Sequence, residues 1–512
     1  MMINIKLLNK LIFPIILMVL VILLLDCTNK IEKGDQNDEA ISYSIAFDSN
    51  NFKVAKVKVT FTPKDSTLFM NHGADNLEKR WATFIHNIKV VNEDGKPIEL
   101  EELADAKWKM HASPTEKIVL TYDVHLDHED YKWSGGIDGV AYSTDMGVFY
   151  TGRTLFIMNG EQWKNITVDF KLPTNWGVTT PWIKDKDLTN TYRAINNADL
   201  ANSMIFAGTH KEFSIKRDDF ELLFALGSVE IIADEAIFRN LAEGVLDYYI
   251  KLMGGIPAPA LDNPFKKAVV VISSSTSTTD GEVIGNNISI LIEKDGDQFS
   301  KTISRFIFAH EFFHLWNGKS FSPTSDNTEW FKEGFTNYYT LKALHHVKFL
   351  TDESYLDFLS DFFYKRYNDD NGVGKLSMTN GEEKHDHWGL VYGGGMLVAI
   401  SQDMIIRNAT NNEKSMDDLM RGLFNKYGGN NDNYTLEELQ SMLSELSGID
   451  QTDFFNSYVI GTSKIPIENY LTMAGLDAKV ENGNLIISKK EQQTQEQKNI
   501  TKGLFGQINS EK

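Results

Sequence analysis

"FAHEFFHLWNGKSF", residues 308 to 321, sets His310, Glu311 and His314 inside a run of bulky apolar residues. On an α-helix, residues four apart lie about 40° round and about 6 Å along the axis from one another. His310 and His314 therefore present their imidazoles to one side, where an ion with bonds of about 2.0–2.1 Å can take both. Glu311 stands about 100° round from His310, so it flanks such an ion without joining its ligands. This is the H-E-x-x-H pattern, in which the glutamate acts on a water at the metal. An apolar helix tolerates one stray histidine; three ionisable groups together call for a chemical reason.

Two histidines do not complete a catalytic zinc site, which takes three protein ligands and keeps one position open. Nineteen residues after His314 stands Glu333, in "EWFKEGFTNYY", with Trp330, Phe331 and Phe335 around it. A carboxylate in such surroundings is costly unless it is paired or bound to metal. Asn337 follows one turn later on the same face, where a side-chain amide can orient a histidine.

H-E-x-x-H followed after eighteen residues by glutamate resembles the gluzincin metallopeptidases. Within them, "HEFFHLWN" and "WFKEGFTNYY" resemble the glycyl aminopeptidase family, relatives of aminopeptidase N. The later stretches "VYGGGMLVAISQDMIIRN", "SMDDLMRGLF", "YTLEEL" and "YVIGTSKIPIENYLTMAGL" resemble that family's C-terminal helical portion. The resemblance implies a β N-terminal domain and a thermolysin-like catalytic domain holding one zinc. It also implies that the tyrosine of a "YxKG" stretch steadies the tetrahedral intermediate. Here Tyr392-Gly393-Gly394-Gly395 keeps the tyrosine and the final glycine and replaces the lysine with Gly394. Gly395 and Glu282 are the candidate substrate contacts. The family's amine-binding glutamate, in "GGLEH", has no counterpart in register within "DGEVIGNNISILI"; Glu282 and Asp280 are the nearest carboxylates. The "ISILI" strand is expected to pair with the substrate backbone. Many members carry a PDZ domain after the catalytic part, and the 37 residues beyond 475 are too few for one.

Working outward, the stretch before residue 228 alternates with period two. Ala55, Val57, Val59 and Phe61 form one apolar face, and Ile118, Leu120, Tyr122 and Val124 another. Ile166, Val168, Phe170 and Leu172 form a third. Such strands bury one face, as in a sandwich. Past 230 the period lengthens: Phe238, Leu241, Val245 and Tyr248 make a helical stripe that Asp234 can cap. Glu329 can close a capping box on a helix starting near Asp326, and further helices are expected to open at Ser415 and Thr435. "HDHW", residues 385 to 388, lies just before Tyr392 and can line a cleft or hold a second metal.

At the N-terminus, Lys6 and Lys10 precede an apolar run from Leu11 to Leu25. That is short for a membrane span of about 20 residues and suits a secretory signal. Cys27, the sole cysteine, follows it directly and resembles the lipidation site of bacterial lipoproteins. Asp26 stands where a small residue is usual, which keeps an uncleaved N-terminal anchor as the alternative. With one cysteine, no disulfide can form within the chain and zinc–thiolate chemistry is excluded from its body. Seventy-one acidic against 51 basic residues give a net charge of −20, which repels phosphate backbones and argues against nucleic acid.

The expected protein is multidomain α+β: signal peptide or lipid anchor 1–27, tether 28–40, sandwich-like β domain 41–228. A mainly helical catalytic domain follows over 229–475, and a polar, loosely ordered tail over 476–512. Its expected function is zinc-dependent peptide hydrolysis at the bacterial cell envelope, tethered to the membrane through Cys27. The resemblance favours removal of small N-terminal residues. A zinc endopeptidase and a non-catalytic surface binding protein are the alternatives.

Overall fold

In the N-terminal half, alternation of apolar and polar side chains becomes sheet. The computed structural model describes residues 40–508, apart from 49, 112–115, 132, 134–139, 161–162, 262–263 and 277. Cys27 and the segments read as anchor and most of the tether lie outside the described residues. Strands β1 (Ala40–Asp48), β2 (Asn51–Phe61), β3 (Ile85–Asn92), β4 (Ile118–His125) and β5 (Asn165–Lys171) belong to one eight-stranded sheet. They run in the order β5-β1-β2-β4-β3, with β5 parallel to β1 and the other neighbours antiparallel. The three apolar faces read from the sequence point into its core. Two four-stranded sheets complete this domain.

His128 is fully buried there, its ring 3.8 Å from that of Phe84. Its Nδ1 accepts the N–H of Ala141 at 3.0 Å, and burial drives its pKa down to about 3.

The second half is built on a five-stranded sheet. Its strands are β6 (Lys211–Arg217), β7 (Phe220–Leu226), β8 (Lys267–Ser275), β9 (Asp280–Ile284) and β10 (Asn287–Glu293). They lie in the order β6-β7-β8-β10-β9, with β7, β8 and β10 parallel. The boundary expected at 228 therefore falls earlier. Residues 211–226 alternate like the strands before them, but β7 pairs with β8, so both belong to the catalytic half. Helix α1 (Glu235–Met253) lies against α2 (Gln298–Phe313), which in turn lies against β10 and β9. Beyond α2 come α3 (Glu329–His346), α4 (Gly394–Ala409), α5 (Met416–Tyr427) and α6 (Leu436–Ser447). Ser415 and Thr435 close capping boxes at the starts of α5 and α6, as expected. Asp234 and Glu329 make no such bond; Glu329 is turned inward to two lysines.

Helices α3 and α4 cross at contact distance of their backbones. A Cβ on Gly334 would lie 2.2 Å from the backbone of Gly395, and one on Gly395 would lie 2.0 Å from the carbonyl oxygen of Trp330. Gly395, expected to touch substrate, is thus a helix-crossing residue, because two helices this close admit no side chain between them.

The stretch after 475, expected as a loose polar tail, folds. It forms a hairpin, β11 (Leu476–Glu481) and β12 (Asn484–Lys489), then α7 (Gln495–Leu504). Its Lys- and Gln-rich face is solvated, while Ile500, Leu504 and Phe505 enter the main core. Too few apolar residues mark this helix for its stripe to outweigh its polar composition on reading.

Candidate active site

The end of α2 and the first turns of α3 bring three side chains together. His310 Nε2 and His314 Nε2 are 3.0 Å apart, and Glu333 Oε2 lies 3.4 Å from the first and 3.3 Å from the second. All three residues are buried. A tetrahedral ion with bonds of about 2.0–2.1 Å holds its ligand atoms roughly 3.3 Å apart, so this triangle fits one such ion. The donor set, two imidazoles and a carboxylate, suits the same chemistry. Among the described residues this is the group able to hold a metal.

The histidines are aimed by what surrounds them. His314 Nδ1 donates to the backbone carbonyl of Asn317 at 3.0 Å, which leaves Nε2 with its lone pair toward Glu333. Asn317 in turn donates through its side chain to the carbonyl of Lys332 at 3.0 Å, pinning the exit of α2 to α3. Asn337, expected to orient a histidine, instead donates to the backbone carbonyl of Tyr392 at 3.3 Å. It lines the same cavity but reaches the turn that precedes α4, and the sequence spacing alone does not distinguish that partner from a histidine.

Burial by itself would raise the pKa of Glu333. Attraction to His314, hydrogen bonds from both histidines and the charge of Lys332 hold it well below the usual carboxylate range. Its other oxygen, Oε1, lies 3.5 Å from Lys332 Nζ and 3.6 Å from Lys384 Nζ, and both lysines also bind Glu329 at 2.6 Å. This Glu329–Lys332–Lys384 group was not legible in the sequence. Lys384 arrives from a loop fifty residues on, and Glu329 reads as a helix cap.

His310, His314, Glu333, Lys332 and Lys384 line a cavity of about 840 Å³. Glu311, also buried, is in its wall, and so are Tyr392, His385 and Trp388. The Tyr392 ring stacks on that of Trp388 at 5.1 Å and 6°. His387 is tied to Asp370 at 2.9 Å, so "HDHW" supplies cleft lining rather than a second metal group.

Opposite α2 runs β9, the open edge of the sheet. The "ISILI" segment, expected to bind substrate, is β10 and is hydrogen-bonded on both sides, so its backbone is already used. The edge one strand further out carries Asp280, Gly281 and Glu282 along the cavity. A Cβ on Gly281 would meet Ile307 at 2.3 Å and Glu311 Cγ at 3.6 Å, so glycine lets the edge lie against the helix of the histidines. Strand alternation puts Glu282 on the other face, beside its cross-strand neighbour Ser289. There its charge adds to the burial that pushes Tyr142 up to about 12.

Comparison with known proteins agrees with this architecture. Residues 77–209 match the Peptidase M61 N-terminal domain, and residues 304–394 match the M61 glycyl aminopeptidase domain. The crystal structure of an aminopeptidase N family protein from Idiomarina loihiensis superposes with a TM-score of 0.71 at 17% identity. The match covers 86% of this chain and 79% of that one, so the two share a fold. No curated protein sequence matches the chain.

Proposed function

We propose that this chain, which carries a Peptidase M61 N-terminal domain and an M61 glycyl aminopeptidase domain, is a zinc-dependent peptidase. The observation that carries the proposal is the buried His310–His314–Glu333 triangle opening onto a cleft with Glu311 in its wall. Zinc bound there would supply a Lewis acid that acidifies water and polarises the scissile carbonyl. His310, His314 and Glu333 would hold it, with Lys332 and Lys384 flanking Glu333 Oε1.

Glu311 takes the proton of the attacking water and returns it to the leaving amine nitrogen. Tyr392 donates its hydroxyl to the oxygen that becomes negative in the transition state. The β9 edge aligns the substrate as an added strand, with Gly281 giving it close approach. The expected membrane tether through Cys27, and with it a place in the bacterial cell envelope, belongs to the same proposal.

Aminopeptidase action on small N-terminal residues is the preferred form. An ammonium near the zinc needs an anion; Asp280 and Glu282 are the nearest carboxylates on β9, and Glu282 lies on the strand face away from Glu311. Cleavage inside peptides is the second form, favoured by the absence of the in-register glutamate. The test is to measure bound zinc and then profile a diverse peptide library by mass spectrometry, with and without N-terminal acetylation. About one zinc per chain and cleavage abolished by acetylation support an aminopeptidase. Equal cleavage of both sets supports an endopeptidase, and no cleavage by zinc-loaded protein leaves a binding protein on the same fold.

A further inference from the structure

Much of the positive charge in the cleft is already engaged. Lys332 and Lys384 are tied to Glu329, and the Arg366 guanidinium lies over the rings of Phe362 and Trp388, at 4.0 and 4.8 Å. Lys319 differs. It stands in the cavity wall on the turn that leaves α2, and among the described residues no carboxylate forms an ion pair with it. Lys332 and Arg153 repel it, and Glu311 attracts it.

The turn that carries Lys319 is braced on both sides. Gly318 N–H donates to the carbonyl of Phe321 at 2.9 Å, and Ser320 Oγ to that of Leu315 at 2.8 Å. Gly318, at φ +126°, keeps the turn close to His314 and the Lys332 stem: its Cβ would be 3.7 Å from the His314 carbonyl and 3.5 Å from Lys332 Cδ. Lys319 is thus held beside the chemistry by backbone, not by a charge of its own. Burial, with repulsion from Lys332 and Arg153, draws its pKa down to about 8. A half-buried cation that no carboxylate holds in an ion pair gains most from an anion that arrives with the ligand.

We infer that Lys319 selects substrates bearing a carboxylate close to the scissile bond, an inference that rests on the peptidase reading above. Two groups on a peptide supply that chemistry: the side chain of Asp or Glu, and the terminal carboxylate of a short peptide. Arg153 of the N-terminal domain, in the same cavity, adds to the field that draws either one in.

The test uses matched peptides that differ only by carboxylate or carboxamide. One series places Glu or Gln at each position around the cleaved bond of a C-terminally amidated peptide; the other frees or amidates the C-terminus of a neutral one. kcat/KM is measured with the wild-type enzyme, and binding by fluorescence anisotropy with Glu311→Gln, which leaves the peptides uncut. The carboxylate member of one series should be favoured about tenfold or more in both measurements, as expected for a charged hydrogen bond. The first series identifies a side-chain carboxylate and the second a terminal one. Lys319→Met should bring that ratio near one, and Lys319→Arg should restore most of it. Equal handling in both series, or a preference that survives Lys319→Met, overturns the inference and leaves the peptidase reading in place. Discrimination in binding without any cleavage by the wild type upholds the selectivity of Lys319 and overturns the peptidase reading.

Discussion

Glu333 divides its work between two oxygens, one facing the histidines and the other two lysines. Half of that division was legible in the sequence. A glutamate among Trp330, Phe331 and Phe335 had to be compensated, and its distance from H-E-x-x-H named the histidines. Lys384 was hidden because an ion pair from a distant loop leaves no periodic trace, whereas Lys332 stands on the same helix, three residues after Glu329. At this scale the mechanism makes two separable predictions. Glu311→Gln keeps the residue's shape and removes the base, so zinc content should match the wild type while kcat falls by about 10²–10⁴. Near-normal turnover in that variant would dismiss Glu311 as the base. Tyr392→Phe removes one hydroxyl, and losing one oxyanion donor costs about 10²–10³ in kcat. KM should change little, since that bond is made chiefly in the transition state. An unchanged kcat would return Tyr392 to packing against Trp388.

Among elements, the crossing of α3 and α4 sets the precision of the site. Gly334 follows Glu333 directly, so the contact that fixes the helix spacing also fixes the carboxylate. Gly334→Ala puts a methyl group 2.2 Å from the Gly395 backbone, which cannot yield as a flexible side chain would. The helices must part, at a cost of about 1–3 kcal/mol or more for overpacking. Thermal unfolding should shift down by several degrees, and zinc affinity should drop as Glu333 moves off the histidines. A variant with wild-type stability and zinc content would show that this crossing does not position the ligand. The strand errors belong to this scale as well. Residues 211–226 have the same alternation as the strands before them, and "ISILI" is as apolar as any edge or centre strand. Which neighbour a strand takes is decided by pairing distant in sequence, so neither placement could be read locally.

Across the whole molecule, two stretches outside the site bear on its stability. His128 is buried uncharged in the N-terminal domain, with a pKa near 3 against 6.5 in an unfolded chain. Between these values the unfolded chain binds a proton that the folded one refuses. Stability is therefore full above about pH 6.5 and falls as pH drops toward 3, by about 2 kcal/mol at pH 5. Urea unfolding followed from pH 4 to 7 should show this slope, and His128→Gln should reduce proton uptake on unfolding by about one. An unaltered slope would assign the acid sensitivity to other groups. The second stretch is the hairpin and helix after 475. Because Ile500, Leu504 and Phe505 are buried, ending the chain at 475 should expose the core beside α4 and lower thermal stability sharply. A truncated protein with unchanged melting would mean that α7 contributes only cover. Its burial was hidden by composition: a ten-residue helix with two apolar anchors, Ile500 and Leu504, and Phe505 just past its end looks like solvent-exposed chain.

The catalytic sheet ends in two open edges, and they are defended differently. On β6 the outer edge carries Lys211, Lys216 and Arg217, charges that deter another strand from docking. On β9 the edge is sunk into a cavity and pressed against α2 at Gly281. Recession leaves this edge within reach of one extended chain while denying it to a second sheet. The same geometry acts as a gauge. On the proposed peptidase function, a peptide end or an unfolded loop would thread along β9, whereas a folded neighbour, including another copy of this chain, presents no backbone slender enough to enter.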